Sequence, residues 1–130
     1  MMAYSKLVIC IAALAGFAGM SASAMAKPQS EIGYKQGALG YTALTSGDYQ
    51  RAERQLQERD GVAADDPARL INLGQVYAKT GRYEEALKAY TAAMKSKKQF
   101  DLVLADGRVI SSREAAKLAL ANLRSDYAVK

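Results

Sequence analysis

The chain has no histidine, no tryptophan and a single cysteine among its 130 residues. Without an imidazole it lacks the commonest general base, the usual nitrogen metal ligand and any Ser–His–Asp arrangement. One thiol cannot form an intrachain disulfide, and Cys10 lies inside an apolar N-terminal run. Aromatic content is narrow, eight tyrosines against two phenylalanines. No glycine-rich loop follows a strand pattern, so no phosphate cradle is indicated. What remains is 50% hydrophobic and 24% charged with a net charge of +5. That composition fits one small, mildly basic domain and excludes collagen-like, low-complexity and disordered chains.

Residues 1–26 carry one charged side chain, Lys6, then an apolar run from Leu7 to Met20 and a close of small residues, Ala24-Met25-Ala26. Basic start, apolar middle and Ala-x-Ala end are the layout of a secretory signal. The run is shorter than the roughly 20 residues a spanning helix needs. The pattern predicts export to the periplasm or the medium, with cleavage after Ala26 and Ala24 as the neighbouring site. An uncleaved N-terminal anchor is the alternative. Cleavage removes Cys10, and residues 27–32 become a short lead-in.

A period of 34 residues organises the middle of the chain. Leu39 and Leu73, Gly40 and Gly74, Gly47 and Gly81, Tyr49 and Tyr83, and Ala52 and Ala86 all stand in that register. Each unit, 33–66 and 67–99, reads as two helices joined by a glycine turn. In the second, Asp66-Pro67 gives an N-cap and a proline at the first helical position. Leu70, Leu73, Gly74 and Tyr77 then recur at helical spacing, and Gly81 ends the helix. The next helix carries Tyr83, Ala86, Leu87, Tyr90, Ala93 and Met94 on one stripe. Its acids, Glu84 and Glu85, sit in the first turn and its lysines at the end, the order the helix dipole favours.

The string from Leu73 to Met94, LGQVYAKTGRYEEALKAYTAAM, resembles a tetratricopeptide repeat. Leu73-Gly74, Tyr77, Gly81, Tyr83, Ala86, Tyr90 and Ala93 carry the likeness, while Lys98 stands where the family closes its repeat with proline. The first unit is more degenerate, with Ala43 opposite Tyr77 and Arg59 opposite Ala93. The resemblance implies that the glycines and alanines allow close helix approach and that the leucines and tyrosines fill the space between helix pairs. It also implies a concave face, lined by the first helix of each pair, that holds an extended peptide. On that face the candidate ligand residues are Tyr34, Tyr41, Ile71, Asn72, Gln75 and Lys79, with Ala38 and Thr45 beside the tyrosines; a plain solvated face is the alternative. A carboxylate clamp is not implied, because Gly37 and Tyr41 occupy its first-unit positions and no third repeat follows.

After Lys98 the pattern changes. Residues 100–105 and 108–110 flank Asp106-Gly107, which predicts a hairpin with a two-residue turn. Ser111-Ser112-Arg113-Glu114 is a capping box, and Ala116, Leu120, Leu123 and Tyr127 form a helical stripe to about residue 127. The expected fold is therefore mostly α, two helical repeats followed by a short β-hairpin and a capping helix over 100–130. The hairpin either caps the second repeat or offers a binding edge.

The carboxylate pairs Asp65-Asp66, Glu84-Glu85 and Asp101 with Asp106 read as a helix start, first-turn dipole partners and a turn, not as catalytic acids. Lys95-Ser96-Lys97-Lys98 reads as a helix C-terminus rather than a nucleic-acid contact. The sequence thus points to an exported, non-enzymatic adaptor that uses no cofactor or metal. Its partner is a protein or peptide of the cell envelope. The alternative is a structural accessory subunit that self-associates or docks through the hairpin and last helix.

Overall fold

The computed structural model describes residues 33–104 and 106–128; the export signal, its cleavage site and the 27–32 lead-in lie outside the described residues. Along the chain come α1 (Tyr41–Thr45), α2 (Tyr49–Glu58), α3 (Pro67–Lys79), α4 (Tyr83–Lys95), β1 (Asp101–Val103), β2 (Val109–Ser111) and α5 (Ser112–Ala128). The predicted mostly helical fold with a hairpin and a final helix is the fold observed.

Local chemistry sets the helix ends. The Asp66 carboxylate accepts the N–H groups of Ala68 at 2.9 Å and Arg69 at 3.2 Å, with Pro67 next to it. At the other end of α3, Arg82 N–H donates to Tyr77 O and Gly81 N–H to Ala78 O, while Gly81 takes a φ of 76°. That crossed pair of bonds satisfies carbonyls the helix leaves open. The same closure recurs 34 residues earlier, where Asp48 N–H reaches Ala43 O and Gly47 N–H reaches Leu44 O. Two turns of one design therefore join α1 to α2 and α3 to α4. Ser111 Oγ accepts Glu114 N–H at 3.1 Å, the forward half of the expected capping box.

Two local expectations are corrected. The first unit does not open with a full helix: 34–40 is a series of turns, and α1 is five residues long. Gly33, Gly37 and Gly40 all take positive φ, a conformation glycine reaches freely and a helix cannot use. Tyr34 and Tyr41 consequently do not share a helix face. The hairpin turn is also longer than predicted, because Leu104 N–H closes on Arg108 O and Gly107 N–H returns to Leu104 O. Gly107 takes the left-handed conformation with which a three-residue loop of this kind ends. The strands pair antiparallel with Leu102 opposite Ile110.

α3 is the centre of the molecule, touching α1, α2, α4 and α5. One continuous core holds Leu39, Ala52, Leu56, Ile71, Val76, Ala86, Ala93 and Leu102, with Ala115, Ala116 and Leu123 from α5. The expected repeat positions Leu39, Gly40, Ala52, Leu73, Gly74, Ala86, Tyr90 and Ala93 are buried; Tyr49, Leu70, Tyr77 and Tyr83 pack half-buried against the core. α5 lies along α4 and α3, and its Tyr127 ring meets that of Tyr83 at 4.1 Å. It covers the apolar side that a further repeat would otherwise cover. Among the described residues no helix is long and apolar enough to cross a membrane.

Candidate interaction surface

The predicted concave face is only partly accessible. Ile71 and Asn72 are fully buried and Gln75 is 7% exposed, so these three form part of the interior. The expectation that these three line an open face is corrected: the side opposite the tyrosine stripe is packed as well. With four helices around it, α3 keeps only Arg69 and Leu70 partly open along its first two turns. Asn72 is committed to structure, its Nδ2 donating to Leu39 O at 2.9 Å. That carbonyl belongs to the turn series before α1, so the bond ties α3 to the start of the first unit.

The other three candidates remain at the surface. Lys79 is exposed at the last position of α3, and Tyr41 is half-buried at the first position of α1. Tyr34 is half-buried at the far end of α3, where its Oη donates to Asp66 Oδ2 at 2.9 Å. Burial, and then the neighbouring Asp66 carboxylate, push that phenol well above its ordinary range. Tyr34 thus braces the start of α3 as well as lining the surface.

Beside Tyr34 lies a feature the sequence did not announce. A cleft of about 570 Å³ opens between Gly33-Tyr34, the α2–α3 loop at 61–63 with Asp66, and the irregular segment 97–100. The loop owes its shape to Arg59, Asp60 and Gly61, three consecutive residues with positive φ, which end α2 abruptly. Arg69 holds the loop in place, with Nε donating to Leu56 O and Nη1 to Ala64 O. The only sequence signal was the shortened second helix of the first unit, marked by Arg59 where the second unit has Ala93.

Charge elsewhere is used to hold helices together. Arg82 donates to Glu85 through Nε and Nη2 and to Glu53 of α2 through Nη1, while its guanidinium lies 4.4 Å from the centre of the Tyr77 ring. This joins the turn of the second helix pair to α2 of the first, and the Arg82 bonds hold the Glu85 carboxyl below its usual range. Lys98 does the same for Asp65, and Arg108, through its backbone N–H and side chain, for Asp106. Among the described residues, Asp and Glu side chains form no group of three or more suited to a metal ion.

Residues 67–100 match the model of the tetratricopeptide repeat family. No curated protein and no solved structure matches the chain.

Proposed function

From the premise that this chain carries a tetratricopeptide repeat at residues 67–100, a module for protein–protein interaction, we propose that it is an exported, non-enzymatic adaptor of the cell envelope. One observation carries the reading: the matched repeat is built out in full, with α3 and α4 joined by the closure at Gly81 and a second pair in the same register. Lys6, the Leu7–Met20 run and Ala24-Met25-Ala26 support export. The contact surface is the part of the concave face left accessible, Tyr41, Thr45 and Lys79, continuing past Tyr34 to the cleft. Ile71, Asn72 and Gln75 support it from beneath.

A second reading is favoured by a specific side chain. Val109 on β2 is a large hydrophobic residue that is 57% exposed, paired across the hairpin with Val103. An accessory subunit docking through that hairpin would cover it. Site-specific photo-crosslinking in producing cells separates the two, with the reactive residue at Lys79, at Val109 or, as control, at Glu84. Adducts from position 79 support the adaptor; adducts from 109 alone support the accessory subunit. N-terminal sequencing of the protein from the same cells should begin at Lys27, and full-length membrane-bound material would refute export.

A further inference from the structure

We propose that the cleft between the α2–α3 loop and the segment 97–100 binds an acidic, extended peptide segment. The inference rests on the adaptor reading and adds a site and a ligand chemistry to it.

The first argument is rigidity. Segment 96–100 has no secondary structure, yet it is fastened on both sides. Ser96 Oγ donates to Asp65 O at 2.7 Å, Ser112 Oγ donates to Gln99 Oε1 at 2.9 Å, and Ser112 N–H donates to Phe100 O at 2.8 Å. A wall held at several points presents its backbone to a ligand at little entropic cost. The opposite wall is fixed by the Arg69 bonds.

The second argument is charge. Two lysines line the cleft, Lys97 and Lys98, against one carboxylate, Asp66. That carboxylate is already surrounded: Oδ1 takes two backbone N–H groups and Oδ2 takes the Tyr34 hydroxyl. Lys98 is partly neutralised by Asp65, at 2.9 Å. Lys97 is exposed and forms no ion pair among the described residues. The cleft therefore favours a carboxylate-bearing ligand.

Shape supplies the third. The lining is more polar than apolar, with Ala63 and Phe100 its main apolar parts and Val62 buried beneath, and the volume lies within the range of side-chain and small-ligand pockets. A recess of this kind admits a chain with a protruding side chain; the flat surface of a bilayer reaches only its rim.

The test uses the full mature chain and a fluorescein-labelled peptide of glutamates flanking one leucine, followed by fluorescence polarisation and by amide NMR shifts. Binding should weaken at least tenfold on raising salt from about 0.05 to about 0.5 M. Lys97→Glu should weaken it tenfold or more and confer binding of the matching lysine-flanked peptide. Shifts should concentrate at Gly61, Gln99 and Phe100 and spare Gly47 and Gly81. Lys88→Glu, on the exposed side of α4, should leave binding unchanged. Equal affinity for the acidic and basic peptides overturns the proposal, as does an effect of Lys88→Glu equal to that of Lys97→Glu. Binding of phosphatidylglycerol vesicles without the peptide overturns it too, and assigns the lysines to a lipid surface. If crosslinks form from position 79 while the peptide fails to bind, the adaptor reading stands and the cleft assignment falls.

Discussion

Gly74 lies directly beneath the ring of Tyr90: a Cβ added at Gly74 would come within 2.5 Å of the ring's Cε1 and 2.6 Å of Cδ1. The same contact exists 34 residues earlier, where a Cβ at Gly40 would meet the Ala52 backbone at 3.2 Å and the Leu56 side chain at 3.4 Å. In both pairs the glycine lets the second helix settle onto the first. The backbone solutions differ, helical at Gly74 and left-handed at Gly40.

Gly74→Ala should therefore destabilise despite alanine's better helix propensity. The propensity gain is roughly 1 kcal/mol, and displacing a buried ring costs typically about 1–3 kcal/mol. Thermal unfolding by circular dichroism should show a lower midpoint. Adding Tyr90→Leu should remove the ring and recover part of the loss. A raised midpoint in the single variant would contradict the packing.

Asn72→Ala should act on stability before it acts on binding. The change removes a buried hydrogen bond to Leu39 O, and a lost bond of this kind costs about 0.5–1.5 kcal/mol net. Urea unfolding of the variant should show a lower midpoint with an unchanged slope. Wild-type stability would mean that the bond to Leu39 O adds nothing to the fold.

Acid should weaken the fold through three ion pairs. Asp65, Glu85 and Asp106 are each held below their ordinary values of 3.8, 4.5 and 3.8 by Lys98, Arg82 and Arg108. The unfolded chain then binds protons first, so the stability these pairs add is complete above the unfolded values and is lost as pH falls through the lower folded ones. Unfolding midpoints measured from pH 6 down to about pH 3 should fall, and Arg82→Ala should flatten part of that slope. All three carboxylates are solvent-exposed, so each contribution is small and salt-sensitive.

Tyr34→Phe should loosen the start of α3 without disturbing the Gly81 turn. It removes the phenol donor to Asp66 but leaves the two backbone N–H groups on that carboxylate. Hydrogen exchange should quicken at Ala68 and Arg69 and stay unchanged at Arg82. In the parent protein Tyr34 should be among the last tyrosines to ionise in an alkaline absorbance titration, because its folded value is raised. Its contribution is complete below the ordinary 10.0 and fades only above it.

The second helix pair was legible because its signals are local: a cap at Asp66-Pro67, a stripe at helical spacing, a glycine at the turn. The first pair shared the register but not the conformation. Gly33 and Gly37 read as neutral letters in a repeat, whereas their positive φ breaks the helix that Tyr34 and Tyr41 were expected to share. The candidate face failed at Ile71, Asn72 and Gln75 for a different reason. Helical spacing tells which residues lie together on a face, but not how many neighbours cover it. Since α3 meets four helices, the face opposite its tyrosine stripe was interior as well. The cleft left only the break in the register at Arg59, because it is made of loop ends brought together by long-range bonds such as Ser96 to Asp65.

The position of α3 also decides how the molecule comes apart. Longer arrays of helical pairs shed their ends one at a time, since each unit leans only on its neighbours. Here every other helix leans on α3, so loosening either end exposes the same apolar seam. Partial structures gain little from the pieces that remain, and the chain should unfold in a single cooperative step with coincident optical and calorimetric transitions. The repeat architecture is retained in its geometry, while its modularity, the freedom of one unit to melt without the other, is gone.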